Sequence, residues 1–218
     1  MVWKFCDLSV LELDVLASSA IIQDIDAMQK SGLASLAFYY CDFREDQKKD
    51  RRGFLASMLV QLCHQSDSYC DMLSNFYLEH ARGSQQPSDD ALAKCLKDLI
   101  NVPGQAPVYL ILDGMDECPN TSAMPSPREK VLLLVEELVD SGFPNLHICV
   151  TSRPEPDIKA VLDPLAFRSV SLHDESGQMG DIDHYIQSVV NTDPSMRRWK
   201  AEDRQLVIDF LTKNADGM

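Results

Sequence analysis

Residues 108–112, Val-Tyr-Leu-Ile-Leu, form an apolar run without polar alternation that stops at Asp113-Gly114-Met115-Asp116-Glu117. A run of this kind suits a strand covered on both faces, and such strands belong to parallel sheets packed between helices. A second run, Leu146–Val150, ends in the same manner at Thr151-Ser152-Arg153-Pro154. Between the two, Ser126 and Glu129 form an S-x-x-E capping box with Pro127 at the first helical position, which predicts a helix over 128–140. Leu33–Tyr40 and Arg168–Leu172 read as further strands, and apolar spacing predicts helices over 10–30, 54–63, 69–80, 89–100, 157–162, 179–191 and 202–214. Strands separated by helices imply right-handed crossovers. The expected fold class is therefore α/β, a parallel sheet flanked by helices, with a small C-terminal helical segment. Its expected division is an α/β domain over 1–174 and the start of a helical extension over 175–218.

Composition narrows the function. The chain has 20 Lys plus Arg against 34 Asp plus Glu, a net charge of -14, which opposes nucleic acid and acidic membrane surfaces. The cations concentrate in two short stretches, Arg44–Arg52 and Arg197–Arg204, leaving residues 53–196 with 8 basic and 21 acidic side chains. Both stretches read as solvated faces, without the interleaved aromatics that stack on bases. The seven cysteines are scattered without a C-x-x-C pair, and the five histidines show no ligand spacing, so neither a disulfide framework nor a zinc site is expected. Asp7, Glu12 and Asp14 interrupt any apolar leader, and no run approaches the roughly 20 apolar residues that span a bilayer. A cytoplasmic protein with reduced thiols, contacting neither membrane nor nucleic acid, is expected.

In an open parallel sheet, ligands collect at the carboxyl ends of the strands. Asp113 is placed there to hold a hydrated Mg²⁺, a hard cation that takes one carboxylate and keeps its waters. Asp116 and Glu117 follow within one turn and could polarise a water; Thr151 and Arg153 could reach a transferring phosphate. Each motif alone also reads as a strand-end turn. Their occurrence in order, each after an apolar strand and separated by one capped helix, favours a site. A metal-dependent phosphodiester-cleaving centre on the same three acids is disfavoured, because three acids in one short turn rarely span two metals.

VYLILDGMDECP followed by LHICVTSRPEPDI resembles the Walker B and sensor-one segments of NACHT domains of the nephrocystin 3-like N-terminal type, fungal-type members of the STAND class of P-loop NTPases. The resemblance runs over about 15–217 and includes VLASSAIIQDI, LAFYYCDF, MLVQLCHQ and LTKNADGM. It implies a P-loop NTPase-like domain that binds ATP or ADP with Mg²⁺ and switches an assembly state in signalling. By position it assigns Asp113 to Mg²⁺, Asp116 and Glu117 to water activation, and Arg153, with Thr151, to sensing the γ-phosphate.

The chain departs from that pattern at the phosphate loop. No G-x-x-x-x-G-K-[ST] occurs; the first glycine is Gly32, and Glu12, Leu13 and Asp14 stand where glycine, lysine and serine or threonine are expected. The α/β domain is accordingly expected to be N-terminally incomplete. In that reading the strand before the first helix is lost, Val2–Phe5 is a possible substitute, and the helical extension is cut short. The expected function is a degenerate NACHT-type signalling module that does not hydrolyse ATP and acts through protein partners or self-association. The alternative is a fragment of an active Mg-dependent ATP- or GTP-binding STAND NTPase whose P-loop segment is absent from this sequence.

Overall fold

The apolar runs of the sequence become the middle of a five-stranded sheet. The structure, a computed structural model, describes residues 6–12, 15–42, 50–171, 176–193 and 195–214. Its elements follow in the order β1 (Cys6–Glu12), α1 (Val15–Lys30), β2 (Ser35–Tyr40), α2 (Arg51–Cys63), α3 (Asp67–Glu79), α4 (Asp89–Ile100), β3 (Val108–Asp113), α5 (Pro127–Asp140), β4 (Leu146–Thr151), α6 (Pro156–Leu162), β5 (Arg168–Ser171), α7 (Ser176–Thr192) and α8 (Ala201–Asn214). The sheet order is β2-β3-β4-β1-β5, and the β2–β3, β3–β4 and β1–β4 pairs are parallel. This is the expected α/β class, a parallel sheet flanked by helices. Two compact units divide the chain, residues 1–170 and 171–218. In the second, α7 and α8 pack together, Val190 and Ile208 are buried, and Thr212 donates to the Asp183 carboxylate at 3.0 Å.

Local signals account for where the helices start. Asp50 caps α2 by accepting from the Gly53 N–H at 2.8 Å, and Ser88 caps α4 by accepting from Ala91 at 3.1 Å. The Ser126–Glu129 capping box closes in both directions at the head of α5, with Pro127 inside it. One element differs from the sequence reading. Residues 10–12 belong to a strand rather than to the first helix, and the strand before α1 is present: β1 pairs with β4 from Cys6 opposite Leu146 to Leu11 opposite Thr151. Asp7-Leu8-Ser9-Val10 alternates polar and apolar with the period of a strand, and an interior place between β4 and β5 outweighs the helical spacing further on. The expected loss of this strand is thereby corrected. Val2–Phe5 lies outside the described residues.

The two faces of the sheet are covered unequally. Ala37, Leu110, Leu112, Ile148 and Val150 point into the large core made with α2, α4, α5 and α6. Leu36 and Ile111 point the other way, against Ile25 of α1. A crossover that moves along the sheet from β1 to β2 on the α1 face, and back through β3 and β4 on the other, keeps each connection right-handed. The connections leaving β1 and β4, which are neighbours, therefore run in opposite directions. That divergence opens a crevice at their carboxyl ends, where ligands bind in sheets of this type.

The β2 edge of the sheet is closed by two side chains. Gln61 on α2 and Gln65 just past its C-terminal end lie four residues apart, and each acts as the missing peptide of a next strand. Gln65 Oε1 accepts from the Leu36 N–H at 2.8 Å while its Nδ-equivalent, Nε2, donates to the Leu36 carbonyl. Gln61 does the same for Phe38, at 3.1 and 2.7 Å. An edge strand with satisfied amides offers no template for pairing with another chain. Replacing both glutamines by leucine is expected to cost about 1–3 kcal/mol for each backbone group left unpaired in the interface. Urea unfolding checks the loss, and chromatography at rising concentration checks the expected gain of edge-paired aggregates. Glutamate at both positions should restore only the accepting half.

Candidate functional site

β3 leaves the sheet at Asp113, whose side chain is 8% exposed, and the backbone turns at once through Gly114. Gly114 has φ 69°, a left-handed conformation that costs a side-chain-bearing residue about 1–2 kcal/mol. An added Cβ would itself find room, 3.7 Å from the Cys41 carbonyl, so the backbone conformation rather than crowding selects glycine. The chain then makes a single 3-10 turn, Met115–Glu117, that buries Met115 completely. Glu117 N–H donates to the Gly114 carbonyl at 2.8 Å, and Cys118 N–H to that of Met115 at 3.1 Å. Cys41, just beyond β2, donates its N–H to the Asp113 carbonyl at 2.9 Å and ties the turn to the neighbouring strand.

Four of the five residues singled out in the sequence meet here. Thr151, 1% exposed at the end of β4, donates its hydroxyl to Asp113 Oδ1 and accepts the Gly114 N–H at 3.0 Å. The Arg153 N–H donates to Asp116 Oδ1 at 3.1 Å, and its guanidinium Nε stands 3.6 Å from Asp116 Oδ2. The Arg153 side chain is 85% exposed, whereas that of Asp116 is 12% exposed. Glu117 points into solvent. Among the described residues, no three His, Cys, Asp or Glu side chains converge as a metal cluster, so the acids of the turn do not form one together.

A residue the sequence reading passed over organises the turn. Arg128, 5% exposed in the first turn of α5, donates from Nε to the Cys118 carbonyl at 2.9 Å and from Nη2 to the Asp116 carbonyl at 2.5 Å. Its Nη1 bridges the carboxylates of Glu155 and, at 3.1 Å, Asp157, which stand at the start of α6. Burial alone would lower the pKa of this guanidinium, but its bonds to Glu155 and Asp157 outweigh that and raise it. The clue was present: a cation in the first turn of a helix opposes the helix dipole. A second missed feature is a buried thiol pair, Cys41 with Cys118, on either side of the turn. Their mutual hydrogen bond pushes Cys41 up, reinforced by burial, and holds Cys118 down against burial with help from the Arg128 charge.

The Mg²⁺ and ATP or ADP implied by the resemblance do not fit the residues present. Only Leu13 and Asp14 separate the end of β1 from the start of α1. A phosphate cradle at that junction takes about eight residues, with glycines that turn backbone N–H groups inward and a lysine that neutralises charge. There is no glycine before Gly32 and no lysine between Cys6 and Gln29. One oxygen of Asp113 is already taken by Thr151.

Arg128→Met is expected to lower stability by about 3 kcal/mol, since it orphans two carbonyls and leaves Glu155 and Asp157 facing each other without a cation. Arg128→Lys should recover little of this, because an ammonium cannot span four acceptors in fixed directions. Urea unfolding of both variants checks the order. A pH effect arises at Cys149, which is pushed up from 9.0 to about 11, first by burial and then by the charge of Asp113. A thiol with a raised pKa favours the folded state while protonated, so this contribution is present below pH 9 and fades as pH rises towards 11. The slope of stability against pH between 9 and 11 should be shallower in Cys149→Val than in the wild type.

With this geometry in hand, known proteins offer three comparisons. Among solved structures, the chain resembles the Drosophila ORC bound to DNA, at 13% identity and TM-score 0.46, over 98% of this chain and 49% of that one. It also resembles the Aeropyrum pernix ORC2 protein in ADPNP–ADP complexes, at 15% identity and TM-score 0.41, over 94% of this chain and 50% of that one. The chain thus spans about half the length of these structures. No curated protein matches it in sequence. No helix among the described residues is long and apolar enough to cross a membrane. The family model described as Nephrocystin 3, N-terminal, matches residues 15–153, from the first residue of α1 to Arg153 beyond the end of β4. That match takes in more than half of the chain, and this α/β module belongs to the nephrocystin 3 N-terminal family.

Proposed function

We propose that the chain is a degenerate NACHT-type signalling module that acts by binding protein partners, itself included, and does not hydrolyse nucleotide. The observation that carries this reading is the two-residue junction between β1 and α1. In an active relative the junction holds the phosphates; here it is too short to do so, and its two residues, Leu13 and Asp14, include no lysine. Hydrogen bonds to charged groups are worth about 1.5–3 kcal/mol each, and about 1.4 kcal/mol is a tenfold change in affinity. The loss of three such bonds removes roughly three or more decades of affinity. The acidic turn gains nothing to offset that loss, because Asp113 is bonded to Thr151 and Asp116 to Arg153.

In this reading Asp113, Asp116, Thr151 and Arg153 stand where the family would have its Walker B and sensor residues, and they serve as struts between β3 and β4. An interaction role agrees with the large apolar side chains left in solvent, among them Met124, Tyr185, Leu206 and Phe210. Calorimetric titration of the full chain with Mg-ADP and Mg-ATP tests it, with Asp113→Ala as the control. No heat up to millimolar nucleotide is the expected result. Binding tighter than about 10 µM that Asp113→Ala abolishes would replace this reading with that of a Mg-dependent nucleotide-binding switch.

A further inference from the structure

Beside the acidic turn lies an open groove of about 500 Å³, within the range of roughly 300–1,000 Å³ that takes organic ligands. Met124 and Pro125 from the loop before α5, Leu133 from α5 and Val161 from α6 line it, and the carboxylates of Glu129 and Asp157 lie on its wall. Among the described residues, no basic side chain lines it. Met124 is 87% exposed and Leu133 47%, so the apolar lip stands in water. Both carboxylates keep one oxygen outside the bonds that hold them, since Glu129 uses Oε2 on the Ser126 N–H and Asp157 uses Oδ2 on Arg128 and Asn120. The groove therefore suits an apolar or aromatic side chain flanked by cations.

The chain carries such a segment. Ser195-Met196-Arg197-Arg198-Trp199-Lys200 places three cations around one indole. Met196–Arg198 forms a 3-10 turn closed by the Trp199 N–H donating to the Met196 carbonyl at 3.0 Å, and Arg198, Trp199 and Lys200 are all exposed. In the other basic stretch, Arg52 pairs with Asp89 at 2.8 Å and Arg51 with Asp90 and Glu137 at 3.5 and 3.6 Å. In a chain of net charge -14, a compact cationic turn bearing an exposed tryptophan is the chemical complement of an apolar groove with acidic walls. Tryptophan and arginine are also the side chains that most often anchor protein interfaces.

We propose that residues 195–200 of one copy dock on a second copy, with Trp199 in the groove between Met124 and Leu133 and with Arg198 and Lys200 against Glu129 and Asp157. This rests on the interaction reading above and names its surface and its partner, a second copy of the chain. The plug and the groove are different patches, so each copy carries one of each and can both offer and receive a contact. The attraction between the cations and the acidic walls makes the association weaken as salt is raised.

Sedimentation velocity of the full chain reads this directly. The weight-average mass of the wild type should climb from 24.5 kDa with concentration and fall back at high salt. Trp199→Ala keeps the groove and lacks the plug; Leu133→Glu keeps the plug and spoils the groove. Each alone should associate at least tenfold more weakly, and thermal unfolding confirms that both are folded. An equimolar mixture of the two should form a species of twice the monomer mass and nothing larger, because one plug then meets one groove and the chain of contacts ends. A wild type fixed at monomer mass overturns the proposal, as does a mixture that stays monomeric. Variants that both associate like the wild type overturn this surface while leaving the interaction reading in place; that reading fails separately if Mg-nucleotide binds in calorimetry.

Discussion

The interior position of β3 is the constraint on which the rest of the molecule depends. A strand hydrogen-bonded on both sides and covered on both faces can carry only apolar side chains, and Val108–Leu112 satisfies that condition without exception. Polar chemistry must then wait for the strand to end. It ends at Asp113, where the backbone turns out of the sheet through the left-handed Gly114 and is bonded to Cys41, just beyond β2. The place where the sheet stops and the place where charged residues gather are thus the same, and β4 repeats the logic with Thr151 and Arg153 one strand away.

Holding an acidic turn at a sheet end costs electrostatic energy, and the structure meets that cost from one residue. Arg128 sits at the helix end where a cation is least favoured, yet it accommodates two backbone carbonyls and two carboxylates in directions a planar guanidinium can satisfy together. Glu155 and Asp157 stand at the start of α6, where negative charge suits the dipole, so the network joins the turn after β3, the head of α5 and the head of α6. The groove lined by Met124 and Val161 exists because this network fixes the loop before α5 against α6.

Much of this was legible in the sequence, for identifiable reasons. β3, β4 and α5 were readable because each is specified locally: β3 by an unbroken apolar run between turn residues, β4 by an apolar stretch interrupted only by His147, and α5 by a capping box. The meeting of Asp113 with Thr151 and of Asp116 with Arg153 followed from the rule that strand ends share one rim, without any knowledge of sheet order. β1 was misread over residues 10–12 because its seven residues mix polar and apolar side chains, and only pairing with β4 decides their conformation. Gln61, Gln65 and Arg128 were missed because each acts on backbone groups remote in sequence. Gln61 reaches Phe38 across 23 residues and Gln65 reaches Leu36 across 29. An amide or guanidinium that satisfies main chain leaves no trace in residue type beyond being polar on a helix.

The acidic residues at the end of β3 have a structural role that needs no ligand. Asp113 orders the end of β4 through Thr151, and Thr151 in turn receives the Gly114 amide that would otherwise be unpaired at a tight turn. Asp116 grips the Arg153 amide and guanidinium and lends its carbonyl to Arg128. Removing the Asp113 carboxylate would orphan the buried Thr151 hydroxyl, a loss felt whether or not a phosphate ever binds, while removing that of Asp116 would free the exposed Arg153 from the turn. Glu117 alone, exposed to solvent, has no such duty in the turn. The two carboxylates therefore hold the ends of β3 and β4 together whatever the rim of the sheet binds, because each spends its oxygens on groups of the neighbouring strand end.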